Sequence, residues 1–178
     1  MAQPATPSAA RANVEPEARR FRVPLFLFGV GLGGFADGIV LHQILQWHHM
    51  ISDTVQGPTN TVKGLEKNTL ADGVFHLATF VIVVVALYMT LRTRRADAIA
   101  VFPSRGVVSG WLLVGWGTFN LVEGIIDHHL LTVHHVRDDV GDPLAWDLAF
   151  LAVSVVLLLV GLALVRRVAR CTSSEMQR

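Results

Sequence analysis

Asp37, His42, His48 and His49 recur as Glu123, His128, His134 and His135 at a constant offset of 86 residues (123 − 37). Both copies read acid-Gly-Ile-aliphatic-x-His-x-aliphatic-Leu-x-x-His-His, and Gly29 and Gly31 keep the register with Gly115 and Gly117. An acid, a glycine and three histidines repeated over thirteen positions point to an internal duplication and to a functional centre. Imidazole with carboxylate suits a transition metal, here copper, iron or zinc. The single cysteine, Cys171, excludes a thiolate site and a disulfide framework within the chain.

The expected ligand set is Asp37, His42, His49, Asp72, His76, Glu123, Asp127, His128 and His135. Asp72 and His76 share a helix face at i,i+4, and Asp147 mirrors Asp72. At about 100° per residue, His42 and His49 share one line of a helix, while Asp37 and His48 share another about 120° away. His48, His49, His134 and His135 lie where helices should leave the membrane, so solvated interfacial roles compete with ligation; His129 should be exposed. Asp72 and Asp147 open apolar runs and could equally cap helices. Copy one has Leu41 where copy two has Asp127, and His76 faces Leu151 in the alignment, so the site should be pseudo-symmetric but chemically asymmetric. The Glu-x-x-His spacing of carboxylate-bridged bundles is missing. Haem b, held by His42 and His128 or by His76, is the alternative cofactor, although nothing marks propionate binding.

The elements that must position these residues are membrane spans. The chain is 52% hydrophobic and only 16% charged, and the charges avoid four long segments. A helix needs about 20 apolar residues to cross a hydrocarbon core of about 30 Å. Spans are expected at 23–45, 70–91, 107–131 and 144–165, giving an all-α integral membrane protein built as two duplicated helix hairpins in a four-helix bundle. Residues 1–21 form a disordered cytoplasmic tail, 22–168 the membrane domain, and 169–178 a second cytoplasmic tail. The β-branched runs still read as helix, because in lipid the backbone must satisfy itself. Lys and Arg cluster before span one, between spans two and three and after span four, which puts both termini in the cytoplasm and the histidines outside. Each hairpin starts and returns inside, so the pseudo-two-fold axis lies along the membrane normal. Glycines Gly29, Gly33, Gly34 and Gly38, with Gly115, Gly117 and Gly124, should let spans one and three touch. Ser104 is the expected N-cap of span three, and Trp47 and Trp146 mark the outer boundary.

The stretches Gly34–His49, Asp72–His76 and Glu123–His135 resemble the DUF2243 family of bacterial multi-span membrane proteins, with the resemblance running over about residues 22–168. It implies a multi-pass protein of the bacterial inner membrane and implies no function. From the residues, three functions compete. The first is a transition-metal site for metal binding or redox chemistry. The second is a proton-coupled or metal-ion transporter, in which Asp37 and Glu123 relay an ion. The third is a non-catalytic subunit or assembly partner of a membrane complex. The partners implied are the lipid bilayer and a membrane complex or a homo-oligomer, not nucleic acid.

Overall fold

The computed structural model describes residues 20–96 and 102–176. Residues 1–19, most of the expected first tail, lie outside them, as do Arg11, Arg19 and Arg178 of the basic clusters. The regular elements among the described residues are all helical, with no strand among them. Helix α1 spans Arg22–Ala36 and continues without a break into a π-helical segment, Asp37–Ile44. Helix α2 spans Val62–Ala96. Helix α3 spans Arg105–Glu123 and also continues as a π segment, Gly124–Leu130. Helix α4 spans Leu144–Met176.

Three of these elements are long and apolar enough to cross a membrane: Arg22–Ile44, Val62–Arg95 and Leu144–Arg170. The third expected span, α3 with its π segment, does not reach that apolarity. Its run Gly115-Trp116-Gly117-Thr118-Phe119-Asn120 is the reason. Such a composition suits a helix that packs on protein along its length, and α3 contacts both α1 and α4. The packing order is α2–α1–α3–α4, with α1 and α3 in the middle. The flanking helices expose apolar side chains such as Leu77, Phe80 and Val84 on α2 and Val153, Val156 and Leu159 on α4. Polar backbone is satisfied inside each helix, so these faces suit lipid.

Glycine makes the central seam. A Cβ on Gly29 would collide with the backbone of Leu112, and one on Gly115 with the backbone of Phe26. Helices α1 and α3 therefore meet backbone to backbone, a contact that small residues permit. Gly31 and Gly117 repeat the device outward, against Thr79 and Val83 of α2 and against Ser154 and Leu158 of α4.

Several boundaries differ from the sequence expectation. Helix α2 begins at Val62 rather than near Leu70, so Asp72 stands well inside it and is no N-terminal cap. Asn68, fully buried, ties the start of α2 to the preceding loop: its Nδ2 donates to Gly57 O and its Oδ1 accepts from Ile51 N. Ser104 occupies the N-cap position of α3, but its side chain makes no capping hydrogen bond. Helix α4 runs through most of the stretch expected as a second tail.

Candidate metal centre

The π segments build the site. In an α-helix, residues five apart point about 140° away from each other, at 100° per residue. In a π-helix the hydrogen bond runs from i to i+5, so residues five apart share a face. Leu45 N donates to Val40 O at 2.8 Å and Leu131 N to Ile126 O at 2.7 Å, both five residues back. Asp37 thereby reaches His42, Oδ2 to Nε2 at 3.2 Å, and Glu123 reaches His128, Oε1 to Nε2 at 3.0 Å. The Asp-x4-His and Glu-x4-His spacings are thus pairs only in π geometry.

After each π segment the chain turns back over the helix ends. Gln46 and Thr132 sit at the reversal with φ of 50° and 46°, left-handed values that cost a non-glycine residue strain. The next residues donate across six positions, Trp47 N to Leu41 O and Val133 N to Asp127 O, both 3.0 Å. The turn drives His48 and His134 inward. Their rings stack face to face, 4.5 Å between centroids and 3° between planes, and are 2% and 0% exposed. His42 lies 4.4 Å from His48, and His128 lies 4.9 Å from His134, ring to ring.

His42, His48 and His134 are anchored from outside by a hydrogen bond at Nδ1, whereas His128 Nδ1 is buried without one. His48 Nδ1 donates to Val136 O at 2.9 Å and His134 Nδ1 to Met50 O at 3.1 Å, so each half's loop holds the other half's histidine. His42 Nδ1 lies 3.0 Å from Asp72 Oδ1, and His128 Nδ1 lies 3.6 Å from Asp147 Oδ1. Asp72 also accepts from His49 Nδ1 at 2.8 Å and Met50 N at 2.9 Å. Asp147 matches it with His135 Nδ1 at 2.7 Å and Val136 N at 2.9 Å. A carbonyl only accepts, so His48 and His134, when neutral, carry their proton on Nδ1 and present a lone pair on Nε2. Burial, reinforced by the neighbouring His134 and His42, holds His48 down to about 2, so its ring is neutral.

The inward atoms are short of donors. His42 Nε2, His48 Nε2, His128 Nε2, both Asp37 oxygens and Glu123 Oε2 are buried without a well-directed hydrogen bond. Glu123 Oε1 faces two ring nitrogens, His128 Nε2 at 3.0 Å and His134 Nε2 at 3.2 Å. Acceptors facing acceptors in a buried space call for protons or a cation between them. Candidate ligand atoms of His42, His48 and His134 lie within 4.8 Å of one another, as do those of Glu123, His128 and His134. Imidazoles whose second nitrogen donates to a carboxylate or a backbone carbonyl are the usual outer arrangement of metal-binding histidines. No lysine or arginine is buried among the described residues.

A family model described as a predicted membrane protein, DUF2243, matches residues 25–168. The chain belongs to the DUF2243 family. No curated protein and no solved structure matches it.

Of the residues singled out in sequence, this DUF2243 protein brings Asp37, His42, Glu123 and His128 into the centre. Asp72 supports it from outside, and His49 and His135, half-buried, hold Asp72 and Asp147 in turn. His49 lies beyond the helix end, so it shares no helical line with His42; the two meet at Asp72 instead. His76 stands apart. Its Nδ1 donates to Asp72 O of its own helix at 2.7 Å, and its ring lies beside Phe35, Phe75 and Gly38. Asp127 is half-buried in the second π segment and belongs to neither donor group. His48, His134 and Asp147 were outside the expected set. The repeated His-His pair and the alignment of Asp147 with Asp72 were the available signals. Asn120 is also buried at this level, one turn before Glu123, with no partner for its Oδ1.

The loops close over the centre. Asp53 N donates to Val133 O and Asp138 N to Trp47 O, both 3.0 Å, lacing the halves together. Arg137 lies 4.9 Å from the Trp47 ring and 5.0 Å from the Trp146 ring, and its guanidinium pairs with Asp139. Burial, and next the nearby Asp138, push the Asp53 carboxyl above its usual range.

Proposed function

We propose that this protein is a membrane metalloprotein binding a transition metal, copper, iron or zinc, at the outward end of its helices. The observation that carries this reading is the donor array: His42, His48 and His134, hydrogen-bonded through Nδ1, and His128, whose Nδ1 lies 3.6 Å from Asp147, gather with Asp37 and Glu123 in one buried cluster. Ring-to-ring distances of 4.4 to 4.9 Å favour a bare ion over a haem plane between the histidines. The outward orientation rests on charge, and the bacterial inner membrane on the resemblance to the family. Arg22, Arg94, Arg95 and Arg105 lie at the opposite helix ends, and Arg166 and Arg167 follow the apolar run of α4, the side that the positive-inside rule assigns to the cytoplasm. Metal storage, delivery and redox chemistry all fit the site. Elemental analysis and an optical spectrum of untagged protein purified in detergent test the reading. Bound metal that disappears in His48→Ala/His134→Ala supports it; metal-free native protein, even after reconstitution, overturns it.

A proton-coupled role is the second reading, favoured by two chains of alternating rings and carboxylates. His49–Asp72–His42–Asp37 and His135–Asp147–His128–Glu123 each lead from a half-buried histidine to a buried acid. Below the site, however, Thr79 and Ser154 are buried and bond to carbonyls of their own helices, at His76 and Phe150. They continue no chain inward. Proton flux in proteoliposomes that vanishes in Asp37→Asn would favour this reading over the first.

A further inference from the structure

Resting on the metal-centre reading above, we infer that the centre holds two divalent ions, one per half. Asp37, His42 and His48 serve the first, Glu123 and His128 the second, and His134 is within reach of both.

Two independent features support this. The first is the arrangement of donors. A single ion binding all six side chains would place opposite donors about 4.2 Å apart, at bonds of about 2.1 Å. The donors instead fall into two groups that share only His134, with His42 in one and His128 in the other. The rings are strung out in the order His42, His48, His134, His128, with neighbours 4.4, 4.5 and 4.9 Å apart and the next-nearest pairs 5.9 and 6.1 Å apart. Each end of the string has its own acid within 3.2 Å of a ring nitrogen, Asp37 at one end and Glu123 at the other. Glu123 Oε1 faces both rings of the second half, and Oε2 has no partner.

The second is charge. Asp37, Asp72, Glu123 and Asp147 are all buried, and no lysine or arginine is buried with them among the described residues. His49 and His135 border Asp72 and Asp147 from the solvent side, each with its Nδ1 on the carboxylate. With the rings neutral, as metal ligands must be, one divalent ion among four ionised carboxylates leaves two negative charges buried, whereas two divalent ions balance all four. Uncompensated buried charge is costly enough that pairing is the rule.

Cobalt(II) is a suitable probe because it takes zinc-type ligands and absorbs visibly. Metal-stripped full-length protein in detergent, titrated with cobalt(II), should reach its d–d absorption endpoint at two equivalents per chain. Elemental analysis after desalting should agree. Glu123→Gln and Asp37→Asn should each reduce the count to one. An endpoint at one equivalent in the native protein overturns the two-ion inference and leaves the metal-centre reading standing, whereas no binding overturns both. Two equivalents retained in both variants also overturn it, since the halves would then not hold separate ions. Should a variant fail to stay monodisperse, the native count alone decides.

Discussion

In the first half of the centre Asp72 Oδ1 lies 3.0 Å from His42 Nδ1, whereas in the second Asp147 Oδ1 lies 3.6 Å from His128 Nδ1. On the inner side the order reverses. Asp37 sits 3.2 Å from its ring and Glu123 sits 3.0 Å from its own. The backbones barely differ. The five-residue hydrogen bonds at the π ends are 2.8 and 2.7 Å, and the reversals have φ of 50° and 46°. Glutamate is one methylene longer than aspartate, so its carboxylate extends further toward the ring and that ring moves off its outer anchor. The frame sets where the rings stand, and the length of the inner acid sets which neighbour each ring favours.

Substitutions can break or sharpen that comparison. The largest effect is expected where the halves touch. Gly115→Leu and Gly29→Leu meet backbone rather than flexible side chains, so each should cost about 3 kcal/mol, the upper end for overpacking. Folded yield in detergent, read by size exclusion, should collapse equally for both, and a marked inequality would break the equivalence of the halves. Next are the outer anchors. Removing such a partner typically lowers metal affinity about 10- to 100-fold. Asp72→Asn should fall near the upper end and Asp147→Asn near the lower, because His128 is already further from its anchor. Cobalt(II) affinities would measure both, and the reverse order would refute the account of inner-acid length. Asp37→Glu should make the first half resemble the second, with affinity changing by less than about 10-fold and the visible spectrum shifting. Smallest is relief of strain at the reversals. Gln46→Gly and Thr132→Gly should each stabilise by about 1 kcal/mol, visible as a small rise in melting temperature.

Much of this fold can be read directly from the chain. The apolar runs locate the helices, and the aligned glycines locate the seam at Gly29 and Gly115. The site is legible in part. Repetition singles out Asp37, His42, Glu123 and His128, but their spacing only makes sense once the helix widens to π. Extrapolated at 100° per residue, Asp37 and His42 point apart, and nothing local in Asp37–Ile44 announces the change. The same limit applies to His48 and His134. Sequence position puts them where helices exit, and their burial depends on chain reversals locked by contacts some eighty residues away. The asymmetric histidine shows the converse. His76 has the right residue type and depth, yet its ring is held by its own helix at Asp72 O, to one side of the cluster.

The exchanged anchors bear on how the protein is made. His48 is held by a carbonyl 88 residues further along the chain, and His134 by one 84 residues back. During synthesis His48 is made 88 residues before Val136. Until Val136 follows, His48 lacks the carbonyl that fixes its tautomer. The centre is therefore complete only once both loops exist, so the finished site reports that the two halves of one chain have met.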